Sequence, residues 1–207
     1  MTSAAPTADP QRQPVLGSDG RIVEGLVTTL EPAGGVHVAP MGPIVARDFS
    51  RLVLRPFQSS TTFANLRSRG GGVFHVTDDV ELIARAAVER PLAAPAWFPA
   101  ASIQGAVLRD ACRWYAFVVE SIDDREPRAA MTARVVDQGV LREFVGFNRA
   151  KHAVVEAAIL ATRLHLLPAE QVRCELDRLA PLVEKTGAAE ELQAFAYLRQ
   201  AIEQASR

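Results

Sequence analysis

A change of periodicity at Gly146 constrains what this chain can fold into more than any other feature. Before it, short runs of branched and aromatic residues are separated by Gly, Pro and Asp, which is the pattern of strands and turns. After it, apolar residues recur at helical spacing to the end of the chain. A β-rich part of about 145 residues therefore precedes a helical part of about 60. The expected organisation is a tail over 1–20, a β domain over 21–145 and a C-terminal helical subdomain over 146–207, with no internal repeat.

Charge narrows the partners. The 23 Lys and Arg nearly balance 24 Asp and Glu, so no overall positive field is available to hold nucleic acid or an anionic membrane, while a local anion site stays open. The apolar share of 48% is that of a soluble globular protein. The first 20 residues lack the apolar run of a signal peptide, and no later run reaches the roughly 18 residues that span a bilayer, so a cytoplasmic protein is expected. Cys112 and Cys174 are far apart with no metal-like ligand beside either. They read as small hydrophobes in a reducing compartment, not as a disulfide framework or zinc cluster.

In the β part, the run from Arg21 to Pro32 and the run from Val36 to Ala46 flank Gly34 and Gly35, a hairpin signal. Arg51 to Phe57 and Gly72 to Asp78 read as further strands. Asp78 or Asp79 is placed to cap a helix that stops before Pro91. Three prolines make Pro91 to Ser102 an ordered loop anchored by Trp97 and Phe98. Two long strands then follow, with Pro127 in the connection between them. Beyond Gly146, Asn148 can cap a helix running to Leu167, Pro168 opens a second that Gly187 stops, and a third amphipathic segment closes the chain.

Three constellations carry chemistry. Around His37, Ala39, Pro40, Met41 and Gly42, the proline ends regular pairing and the glycine admits a close neighbour, so exposed amides there suit a planar ligand. An irregular edge strand accounts for the same residues. Arg55 is followed by Ser59, Ser60, Thr61, Thr62 and Asn65, a guanidinium with hydroxyls and the amides of a starting helix, the donor set that holds phosphate. A helix cap by Ser60 or Thr61 beside a surface arginine is the alternative. On the helix after Asn148, Arg149, His152, Glu156 and Arg163 share one stripe of an otherwise small apolar surface. They are expected either to form an internal network around a buried Glu156 pair or to reach a substrate through Arg149 and His152. His37 and His75 also read as structural strand residues, and His165 as a residue near a helix end. No Walker loop, dinucleotide glycine fingerprint, nucleophile elbow or zinc-protease helix is present.

The segments VTTLEPAGGVHVAPMGP, RPFQSSTTFANL, VFHVTDD, NRAKHAVVEAAILATRLHLL and EKTG, in this order, resemble the DUF447 family of the FMN-binding split-barrel superfamily of flavin reductases. The resemblance runs from about residue 22 to about 200. It implies an α+β fold, a six-stranded-type antiparallel split β-barrel followed by C-terminal helices. It also implies FMN as cofactor, with the ring against His37, Ala39, Pro40, Met41 and Gly42 and the phosphate held by Arg55, Thr62 and Asn65. Thr61 stands where the superfamily commonly has Asp, and Ser59 and Ser60 add hydroxyls. A homodimer with FMN near the subunit interface is implied as well.

The function expected on this basis is that of an FMN-dependent oxidoreductase of flavin reductase type taking hydride from NAD(P)H or another donor. A flavin carrier or regulatory protein without turnover is the alternative, and a dimeric scaffold for another phosphorylated ligand is a third. The flavin would carry the chemistry, which fits the absence of an obvious acid–base dyad.

Overall fold

The structure is a computed structural model that describes residues 13–93 and 95–205. Most of the tail expected over 1–20 lies outside the described residues.

Eight strands form one antiparallel curled sheet. In chain order they are β1 (Gly20–Ile22), β2 (Gly25–Leu30), β3 (Val36–Met41), β4 (Ile44–Ala46), β5 (Arg51–Leu54), β6 (Gly71–Val76), β9 (Arg113–Asp123) and β10 (Ala130–Val140). Their spatial order is β1-β4-β5-β10-β9-β6-β2-β3. The β2–β3 hairpin turns at Gly34, whose φ of 91° is a left-handed conformation that glycine adopts freely, and the Glu31 N–H donates to the Gly35 carbonyl at 2.8 Å. Pro40 pairs opposite Leu26 on β3, an edge strand, where its missing N–H is tolerated.

Successive side chains of β2 feed two cores, because neighbours on a strand point to opposite faces. Val27 joins Leu52, Leu54, Phe74, Phe117 and Met131 in the hollow of the sheet. The helix α1 (Thr61–Arg69) closes that hollow with Phe63 and Leu66. Leu26 faces the other way and packs with Val38 against the helices.

Those helices are α2 (Val80–Val88), α3 (Arg149–Ala161), α4 (Ala169–Thr186) and α5 (Ala189–Ala205). Ala150, Ala153, Val154, Ala157 and Ala158 are the buried face of α3, and these small side chains let α4 and α5 pack closely on it. Asp79 caps α2, and Asn148 caps α3 by accepting from the Ala150 and Lys151 amides at 2.8 and 3.1 Å.

Two expectations need correction. The helix expected to reach Leu167 ends at Ala161. Thr162 Oγ1 donates back to the Ile159 carbonyl at 2.8 Å, the Arg163 and Leu166 amides close tighter turns, and Pro168 disfavours a helical residue before it. The loop expected over Pro91 to Ser102 contains a strand, β7 (Trp97–Pro99), paired with β8 (Ala106–Leu108) in a separate two-stranded ribbon. No helix among the described residues is long and apolar enough to cross a membrane.

Candidate functional site

A cavity of about 300 Å³ opens between the end of β3, the connection from β5 to α1, and α3. The β3 end supplies Ala39, Pro40 and Met41, followed by Gly42. The stretch after β5 supplies Arg55, Pro56, Phe57, Ser60 and Thr62. Val155, Ala158 and Ile159 of α3, with Thr162 and Arg163 just beyond it, form the third wall. Two of the three constellations, separated in sequence, thus meet at one cavity.

Arg55 leaves β5 at the cavity, and its Nε is fully buried without a hydrogen-bond partner. An orphaned guanidinium donor of this kind is costly in an empty fold and is suited to an anionic ligand. Arg128, at the entry to β10, donates from Nε to the Arg55 carbonyl at 2.7 Å and places its guanidinium 5.3 Å from the centre of the Phe57 ring. Burial, then the charges of Arg55 and Arg163, push the Arg128 guanidinium below the usual arginine range. Ser60 caps α1, accepting from the Phe63 amide at 3.2 Å and donating to the Phe57 carbonyl at 2.7 Å, while also lining the cavity. The cap and the anion-site readings of Ser60 therefore describe one residue.

Glu24 is the carboxylate that lines this cavity. It packs against Gly42, where a Cβ would fall 2.6 Å from the carboxylate oxygens, so the close neighbour that Gly42 admits is Glu24. Desolvation at the wall and the Glu156 carboxylate raise the Glu24 carboxyl above its ordinary range, against the lowering pull of Arg163, Arg55 and Arg128.

The remaining expected residues fall elsewhere. His37 is half-buried on β3 beside Glu31 and Arg90, and burial followed by Arg90 lowers its imidazole. Ser59 and Thr61 are exposed. Asn65 is buried and donates from Nδ2 to Thr29 Oγ1 at 2.9 Å, fastening α1 to β2. Arg149, His152 and Glu156 are exposed, and among the described residues they make no ion pair with one another or with Arg163. The buried Glu156 pair is thus overturned, because α3 buries its alanine face and leaves the polar stripe outside. His152 instead stacks its ring 6.1 Å from Phe147. Glu24, Arg128 and Arg163's place at the cavity were not legible as a set. The only sequence signal was Arg163's membership of the polar stripe. Among the described residues, no three His, Cys, Asp or Glu side chains are grouped to hold a metal ion.

Comparison with known proteins gives a family and a fold. The family model described as the N-terminal domain of a protein of unknown function, DUF447, matches residues 23–142, and its C-terminal counterpart matches residues 148–200. No curated protein matches. An FMN-bound DUF447 protein from Methanosarcina mazei superposes with a TM-score of 0.75 at 22% identity, over 87% of this chain and 94% of that one. The styrene monooxygenase flavin reductase of Pseudomonas putida S12 gives 0.50 at 16% identity over 58% and 82%. Nitrilotriacetate monooxygenase component B of Mycobacterium thermoresistibile gives 0.52 at 12% over 59% and 71%. The curled sheet with appended helices is accordingly the flavin reductase-like split barrel.

Proposed function

The chain belongs to the DUF447 family, and we propose that its cavity binds FMN and serves an oxidoreductase reaction of the flavin reductase type. The observation that carries this reading is the meeting of the Ala39–Gly42 wall with Arg55, whose buried Nε has no partner in the protein. The wall offers backbone and small side chains to a planar ring. Arg55, Ser60 and Thr62 offer charge and hydroxyls to a phosphate. The FMN-bound relative supports the same ligand, and the flavin reductase of the styrene monooxygenase supports flavin chemistry on this fold. When bound, the flavin supplies hydride acceptance and return. The protein's part is to orient the ring along β3 and to neutralise the phosphate with Arg55.

Arg55→Ala is expected to weaken FMN by about 1.5–3 kcal/mol, roughly ten- to a hundredfold, and riboflavin hardly at all, because the lost bond concerns only the phosphate. Fluorescence titration with both flavins checks this, and equal loss for both would remove Arg55 from the phosphate site. Oxidation of NADH or NADPH by the loaded protein with an added acceptor separates the oxidoreductase from a carrier without turnover.

The assembly we propose is a homodimer with the flavin near the subunit interface. The exposed apolar run Phe144, Val145 and Phe147 after β10 supports a covered surface, Phe147 being 96% exposed in the single chain. Light scattering should give about twice 22.4 kDa. A monomer that binds FMN tightly contradicts the interface placement.

A further inference from the structure

We infer that Arg128 and Arg163 complete, with Arg55, a three-guanidinium site for the ligand's phosphate, so that the bound phosphate ties the C-terminal helical region to the sheet. The inference rests on the FMN reading and extends it to two arginines that the resemblance did not assign to the phosphate.

The three arginines come from separate parts of the chain: the end of β5, the entry to β10, and the turn that follows α3. Arg55 and Arg128 lie within the first matched family region and Arg163 within the second. Three like charges around one cavity repel one another and favour an anion between them. Elsewhere in this fold the buried Arg51 pairs with Glu120 and the half-buried Arg142 with Asp78, whereas the half-buried Arg55 has no such pair and stands beside the exposed Arg128 and Arg163. Among the described residues none of the three cavity arginines has a carboxylate partner within ion-pair distance. Glu24 lies on the same wall and attracts all three, but it is one carboxylate against three guanidinium groups and forms no ion pair with any of them among the described residues. The buried Arg55 Nε has no acceptor, and Arg128 bears the repulsion of its two neighbours.

A phosphate monoester dianion meets each deficit, because guanidinium forks donate pairs of hydrogen bonds to its oxygens. Arg163 lies just past the end of α3 at Ala161, one turn beyond Ile159 on the same cavity wall.

The test uses the full chain and three measurements on parent, Arg163→Ala and Arg163→Lys. FMN affinity should fall roughly ten- to a hundredfold in Arg163→Ala and recover in part in Arg163→Lys, with riboflavin affinity within about twofold throughout. Arg128→Ala should show the same selectivity for FMN over riboflavin. In the parent, FMN should slow amide hydrogen exchange over 159–166 more than riboflavin does, and Arg163→Ala should abolish that difference. A parent that prefers FMN to riboflavin while Arg163→Ala binds both as the parent does overturns the inference and leaves the FMN reading standing. A parent that binds neither flavin overturns the FMN reading and the arginine assignment together.

Discussion

Lowering the pH from about 7 to about 4 is expected to cost this fold about 3 kcal/mol through His75 alone. The imidazole is fully buried on β6, with its Nε2 accepting the Leu108 amide at 3.0 Å and its Nδ1 facing the Leu26 carbonyl at 3.4 Å. Both contacts suit a neutral ring carrying its proton on Nδ1, since a second proton on Nε2 would point at the Leu108 N–H. Burial pulls the pKa down to about 4, against a weaker raising contribution from Leu26. The unfolded chain therefore binds a proton near pH 6.5 that the folded chain refuses until about pH 4. Stability is complete above that window and is lost as the pH falls through it.

Urea denaturation at several pH values, compared with His75→Gln, isolates the effect. Gln can still accept from Leu108 and does not titrate, so the variant should lack this share of the acid loss. Identical slopes in parent and variant would show that His75 is not the linked group. His75→Ala removes the ring as well, leaving a void and an unpaired Leu108 N–H, and should destabilise by about 3–4 kcal/mol at neutral pH.

The reading of His75 as a structural strand residue came from its alternation in the sequence, but its two backbone partners did not. They lie on β2 and on β8, and β8 belongs to the ribbon that prolines conceal. Pro91, Pro95 and Pro99 mark a loop by local rules, whereas Pro99 ends β7 opposite Ala106 without having to donate to the ladder. Features set by neighbours in sequence were legible. The Gly34 turn and the Ser60 and Asn148 caps each depend on residues a few positions apart, and β9 and β10 are consecutive strands joined by a short polar connection.

The cavity was legible only in the part that local chemistry marks. The wall after β3 and the Arg55 stretch were expected, but Glu24, Arg128 and Arg163 arrive from segments more than 30 residues from Arg55 or from another strand. Single arginines in loops carry no signal of their own. The stripe on α3 misled for a related reason. Helical periodicity shows that residues share a face without showing which face is buried. Here the alanines, not the charges, face α4 and α5.

Asp78 is where that helical region is latched to the sheet, and its loss is expected to be among the costliest single changes on the polar side of the fold. The carboxylate side chain is 5% exposed. Arg142 Nη2 and Cys112 Sγ donate to Oδ1, and the Val145 amide donates to Oδ2 at 3.2 Å. Its backbone carbonyl accepts from Lys151 Nζ at 2.7 Å, and Lys151 also pairs with the buried Glu191 of α5 at 2.9 Å. The segment leaving β10, the start of α3 and α5 thus converge on the residue before the α2 cap. The Arg142 hydrogen bond outweighs desolvation and holds the Asp78 pKa at about 2. Because the folded value lies below the unfolded one of about 3.8, this stabilisation is present above pH 4 and fades between about 4 and 2, below the window of His75. Asp78→Ala should cost about 3 kcal/mol at pH 7, at the low end for a buried pair because Arg142 retains some access to water. Arg142→Ala strands the carboxylate in turn, so the double variant should lose clearly less than the sum of the two single losses. Strictly additive losses, or an Asp78→Ala protein within about 0.5 kcal/mol of the parent, would show that the latch does not hold the helices.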